Sequence, residues 1–163
     1  MAKKKLPVTQ AIRALKKAKV NYEGHLYDYE EKGGALAGAH ELGVDEYIVI
    51  KTLVFEDDSK KPLIVLMHGN RQVSTKNLAR QLGVKSVTPC SSEVAQRNTG
   101  YKFGGTSPFG LRKPLPIYVE KSILALPKIF INGGKQGFLV SMSPTDIAKA
   151  LNFVLVSVAI DSK

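Results

Sequence analysis

The 163-residue sequence has little of what several protein classes require. Cys90 is its only cysteine, so no internal disulfide can form, which fits a reducing cytoplasm. The strongest apolar stretches, Leu63 to Met67 and Phe153 to Ile160, fall well short of the ~18 residues of a membrane-spanning helix. Lys3, Lys4 and Lys5 imitate the basic end of a signal peptide. Pro7, Gln10, Arg13, Lys16 and Lys17 break up the segment after these lysines, so a cytoplasmic protein without a membrane partner is expected. His25, His40 and His68 stand far apart without metal-ligand spacing, and neither a metal nor another cofactor is expected. A Gly-x-Ser-x-Gly elbow is missing too, which weakens a serine-hydrolase reading.

What is present is an ordinary globular mixture, 44% hydrophobic and 23% charged, at a length that suits one domain spanning residues 1–163. The charge is not ordinary. Lysine and arginine exceed acids by ten, and the sign is segregated: net +7 over residues 1–20, −8 over 21–58 and +11 over 59–163. An anionic partner such as nucleic acid suits that pattern, and a basic solvated surface explains it equally well. Lys16, Lys17, Arg80, Arg97 and Lys113 are candidate phosphate contacts.

Thr9 is placed to cap an amphipathic helix through Ile12, Leu15 and Ala18, with Arg13, Lys16 and Lys17 outward. Tyr22 to Tyr29 reads as extended, and Ala35 to Leu42 as a helix stopped by Gly43. A strand over Tyr47 to Phe55, an acidic turn at Glu56 to Ser59 and a strand over Pro62 to His68 suggest a hairpin. Ser74 caps a helix over Thr75 to Leu82, closed by Gly83. A short helix from Ser92 to Asn98 comes next, then strands over Leu115 to Glu120 and Lys128 to Ile131. Asn132-Gly133-Gly134 offers a tight turn into a strand over Gly137 to Met142. Ser143-Pro144-Thr145-Asp146 opens a helix over Thr145 to Leu151, and a strand over Asn152 to Ile160 finishes the chain. Mixed strands and short helices without a βαβ rhythm favour an α+β fold around a strongly curved, barrel-like mixed sheet.

Lys51 interrupts a strand whose two alternating faces are both apolar, and it shares a face with Val49 and Leu53. An ammonium there needs water, a carboxylate or a ligand. An edge-strand lysine that blocks aggregation is the structural alternative. Thr99 to Gly110 carries four glycines in twelve positions, so its backbone N–H groups can approach an anion or oxyanion closely. Gly133-Gly134-Lys135-Gln136-Gly137 reads either as a second wall of that site or as a hairpin tip. Cys90 has no histidine close in sequence and reads as an inert thiol.

Ile50-Lys51-Thr52-Leu53 on a strand, then Thr99-Gly100-Tyr101, Gly104-Gly105-Thr106-Ser107-Pro108-Phe109-Gly110 and Gly133-Gly134-Lys135 before a Ser-Pro-x-Asp helix resemble the YbaK family. These are freestanding relatives of the editing domain of bacterial prolyl-tRNA synthetases. The resemblance runs over nearly the whole chain and implies deacylation of cysteinyl-tRNA(Pro), with prolyl-tRNA synthetase as a possible delivering partner. It makes Lys51 the site lysine, holding the terminal ribose or phosphate and orienting the ester. Tyr27 matches a site tyrosine. Gly104, Gly105, Ser107, Pro108, Gly133 and Gly134 match the pocket walls, with the backbone N–H groups of Gly104, Gly105, Ser107 and Gly134 near the ester carbonyl. The substrate's own thiol is then the nucleophile, for which proximity supplies ~7 to 11 kcal/mol. Some members carry an acid shortly after the position of Gly137, where Phe138-Leu139-Val140 is apolar here. Alanyl-tRNA(Pro) editing with a positioned water, and a non-catalytic tRNA-binding adaptor, are the alternatives.

Overall fold

The computed structural model describes residues 5–31 and 33–161. Helix α1 (Gln10–Lys17) starts where the Thr9 hydroxyl accepts the Ile12 N–H, and it buries Ala11, Ile12 and Leu15. After β1 (Glu23–Leu26), α2 (Gly34–Leu42) ends on Gly43, whose φ of 69° favours glycine. Asp45 accepts the Tyr47 N–H and winds Glu46–Ile48 into a 3₁₀ turn, so the strand expected from Tyr47 begins later, as β2 (Val49–Asp57). Its hairpin partner β3 (Pro62–His68) has the expected ends, and the turn between them lies beyond Asp57.

The short β4 (Arg71–Val73) leads to α3 (Thr75–Leu82), which has the Ser74 cap and Gly83 stop read from sequence. Strand β5 (Val87–Pro89) precedes α4 (Ser92–Thr99), which starts at the expected residue and is capped by Ser91. Pro114 and Pro116, which lack N–H donors, delay β6 to Ile117–Glu120. Strand β7 (Ile129–Lys135) runs through the two glycines expected to form its turn, and the turn to β8 (Phe138–Met142) falls on Gln136 and Gly137. The cause is Asn132, whose Oδ1 accepts the Gly134 N–H at 2.6 Å and the Lys135 N–H at 3.2 Å, folding the glycines into a bulge.

The helix expected over Thr145 to Leu151 is a 3₁₀ turn at Pro144–Asp146 followed by α5 (Ile147–Ala150). Ser143 spends its hydroxyl on Thr145 Oγ1 and caps no backbone N–H. The last strand is divided as well. β9 (Val154–Val156) lies beside β6, and β10 (Ala159–Asp161) pairs with β4. Buried Glu120 divides them, because its Oε1 accepts the Val158 and Ala159 N–H groups at 2.7 and 3.0 Å.

The main sheet has the order β1-β8-β7-β2-β3-β6-β9, mixing parallel and antiparallel pairs, with β5 added to β2. This is the expected α+β architecture. Ile64 and Leu66 of β3 enter one cluster with α1. Leu63, Val65 and Met67 enter another with α3. The unbroken apolar run of β3 is thus a strand covered on both faces. A third cluster joins α2 to Val49, Phe130 and Leu139.

Candidate functional site

One edge of β2 pairs with β3 along Ile50 to Glu56. The other edge is shared by two partners that do not meet. β7 pairs with Val49 and Ile50, and β5 with Phe55 to Asp57. Thr52 and Leu53 lie between them with no strand partner on that side. Val54 O accepts Cys90 N–H at this edge, so strand alternation turns the Thr52 N–H and C=O to the same opening. Thr52 Oγ1 is also buried, and no other described side chain or backbone group bonds it.

A cavity of about 370 Å³ fills this opening. Lys51 and Leu53 from one face of β2 and Ile50 and Thr52 from the other line it, together with Tyr27, Tyr29, Phe103, Gly104 and Asn132. Helix α2 closes one side with Gly34, Ala35 and Gly38, and a side chain on Gly38 would press on Tyr27 and Leu139. A smaller cavity of about 210 Å³ adjoins it, sharing Thr52, Leu53, Phe103 and Thr106, with Cys90 on its far wall.

Lys51 stands between the cluster under α2, which holds Val49, and the cluster under α3, which Leu53 borders. β2 is a central strand, so the aggregation-blocking edge lysine is not what Lys51 is. Its Nζ donates to Arg71 O, which fixes the ammonium beside the cavity. Burial pulls its pKa down, and the Glu46 carboxylate opposes that pull. Arg71 is itself held, its guanidinium 5.2 Å from the Tyr47 ring centre and its Nε 3.6 Å from Asp161. Tyr47 stacks at 3.8 Å on His68, whose Nδ1 donates to Tyr47 O and whose Nε2 accepts from Ser122 Oγ at 2.7 Å. His68 is fully buried, and desolvation lowers its pKa, so it is a neutral support.

Of the residues expected at a site, Lys51, Tyr27 and Gly104 share the cavity. Gly105, Ser107, Pro108, Gly133 and Gly134 are not among its lining. Ser107 is buried with Oγ accepting the Phe109 N–H, and a side chain on Gly105 would strike the backbone of Gln136 at 2.8 Å. Gly133 packs under the Phe138 ring, and Gly134, at φ 98°, packs under Tyr101 and Thr9. These glycines join the loop, α1 and the β7–β8 turn. Asn132, Thr52, Tyr29 and Phe103 were not singled out from sequence. Asn132 ties the loop to the bulge, its Nδ2 donating to Gly104 O at 3.1 Å. An asparagine before Gly-Gly was the available signal for it.

Cys90 is half-buried, and burial together with Glu56 pushes its thiol up to about 11. It is protonated at neutral pH and a poor nucleophile. Among the described residues no three metal-ligating side chains converge, and no helix is long and apolar enough to cross a membrane.

A mixed sheet parted around a half-buried lysine, with a glycine-rich loop as one wall, defines a small α+β domain with a concave ligand site. The profile of the aminoacyl-tRNA editing domain matches residues 30–150. The "Putative Cys-tRNA(Pro)/Cys-tRNA(Cys) deacylase EbsC" of Enterococcus faecalis is 30% identical over 93% of this chain and 94% of its own length. A proline–tRNA ligase of Streptococcus pyogenes is 32% identical over 61% of this chain, a match that takes in 16% of that enzyme. A solved structure described as "a putative trans-editing enzyme for prolyl tRNA synthetase" superposes with a TM-score of 0.80 at 20% identity, covering 97% of this chain and all of that one. The chain belongs to the aminoacyl-tRNA editing domain family, the YbaK type.

Proposed function

We propose that the protein is a trans-acting deacylase that clears cysteinyl-tRNA(Pro), with the substrate's own thiol as the nucleophile. The observation that carries this reading is the composition of the cavity. It holds a fixed ammonium and open backbone groups, no histidine or cysteine lines it, and its one lining carboxylate, Glu31, is solvent-exposed. Such a site suits a reaction that needs positioning more than proton transfer. Lys51 orients the terminal ribose or phosphate, and the N–H groups of Gly104 and Thr52 receive the ester carbonyl. The cysteinyl sulfur attacks the ester carbon and the carbon–oxygen bond to the ribose breaks. The thiol proton goes to the departing ribose oxygen. A thiolactone leaves and water then opens it to cysteine. Editing is needed because a synthetase pocket separates small side chains by only ~1 to 3 kcal/mol.

The test is deacylation of cysteinyl-, seryl-, alanyl- and prolyl-tRNA(Pro) side by side. Cysteinyl-tRNA should be cleared fastest, seryl-tRNA far more slowly, and a thiolactone should be trapped from the cysteinyl reaction. Equal seryl and cysteinyl rates would replace the thiol with a positioned water. Absence of any rate above spontaneous ester loss would make the protein a binder.

A further inference from the structure

Phe103 is the most exposed large apolar side chain among the described residues, at 67%, yet it sits on a well-anchored loop. Its own carbonyl accepts Gln136 Nε2 at 2.7 Å. The carbonyls on either side are also engaged, Lys102 O by the Gly105 N–H at 2.9 Å and Gly104 O by Asn132 Nδ2. The backbone is therefore pinned to the β7–β8 turn while the ring stands in solvent. Its position is specific as well, because Phe103 borders both cavities at the rim they share. Lys102, exposed, precedes it in the loop, and exposed Lys135 ends β7 with its backbone against Gly105, two residues after the ring. Apolar ring, flanking cations and a cleft beside them are what a single-stranded nucleic acid end requires: a face for stacking, charge for phosphates and a cavity for the terminal group.

We propose that Phe103 is the stacking platform for an unpaired base at the 3′ end of the tRNA, setting affinity and register for the ester in the cavity. The proposal rests on the tRNA reading above, and it assigns the ring a part that does not depend on whether the ester is cleaved. Lys102 and Lys135 meet the phosphates on either side of that base.

The sequence contains no tryptophan, so Phe103→Trp installs a single indole at the proposed contact. The probes are an unacylated, 5′-labelled single-stranded RNA ending in CCA and the same RNA with an abasic 3′-terminal residue. Indole emission of the Phe103→Trp protein should be quenched saturably by the CCA-ended RNA. Label anisotropy should give an affinity about 5- to 150-fold lower for the abasic RNA, the range for one stacked base. Phe103→Ala should lose the same factor towards the CCA end, bind both RNAs alike and melt as the wild type does. Where deacylation is measured, Phe103→Ala should raise KM with kcat little changed. Equal binding of both RNAs by the wild type, unchanged emission at saturating RNA, or Phe103→Ala binding like wild type would each overturn the proposal. A concentration-dependent dimer abolished by Phe103→Ala would instead show that a second copy covers the ring. A protein that shows the quench but cleaves no ester retains this platform and loses the proposed reaction.

Discussion

Burial holds the Lys51 ammonium below the ordinary lysine value near 10.5, so folding works against its charge. Between the lowered folded value and the unfolded one, the unfolded chain binds more protons. Stability therefore rises with pH through that window, and the penalty is present in full below it. Lys51→Met should accordingly melt higher than wild type at pH 7, with the advantage shrinking towards pH 10.5, while deacylation is lost. A lower melting temperature at pH 7 would mean that the bond to Arg71 O outweighs desolvation. Lys51→Arg should not restore turnover, because a planar guanidinium does not reproduce a compact ammonium fixed by one carbonyl. Cys90→Ala should leave cysteinyl-tRNA turnover nearly unchanged, since a thiol pushed up to about 11 supplies no thiolate at neutral pH. Loss of activity in that variant would reinstate a protein nucleophile. Lys51 was legible because a charge in an apolar strand is a conflict visible within nine residues. Thr52 was not, since nothing in its neighbours reveals that β5 and β7 leave it uncovered.

Elements with local causes were read closely. β3 and α3 have the expected ends because a proline, a serine cap and a glycine stop act within a few residues of the backbone they control. Elements with distant causes were misplaced. The bulge at Gly133 and Gly134 is made by Asn132 bonding two N–H groups, and the break before β10 by Glu120, nearly forty residues away. The glycine-rich loop belongs to both kinds: its flexibility is local, and its docking on the β7–β8 turn is not. Gly105→Ala should cost about 1–3 kcal/mol in chemical denaturation, because the new methyl meets backbone that cannot move aside. Asn132→Ala should release the loop from β7, raising KM for aminoacyl-tRNA and increasing protease cleavage between Lys102 and Thr106. An uncleaved loop in that variant would show that Gln136 alone suffices to hold it.

Over the whole molecule only three ion pairs form among the described residues, so the positive excess remains largely available to an outside anion. Lys16 and Lys17 on α1 and Arg80 on α3 are all exposed, but their helices cover opposite faces of the sheet. One flat nucleic acid surface cannot meet all three. Affinity for tRNA should fall steeply and log-linearly with salt, and charge removal at α1 and at α3 should reduce that slope unequally. A flat salt response would leave the basic surface as solvation alone. The parted edge of β2 has a consequence for motion as well as for binding. Lys51 and Leu53, on either side of Thr52, turn their amides towards the β3 ladder, whereas its own N–H faces the opening between β7 and β5. In deuterated solvent the Thr52 amide should therefore label fast within one of the slowest strands in the molecule. An occupied cavity should slow that exchange without altering the strand around it, which makes Thr52 an isotopic reporter of whether the site is filled.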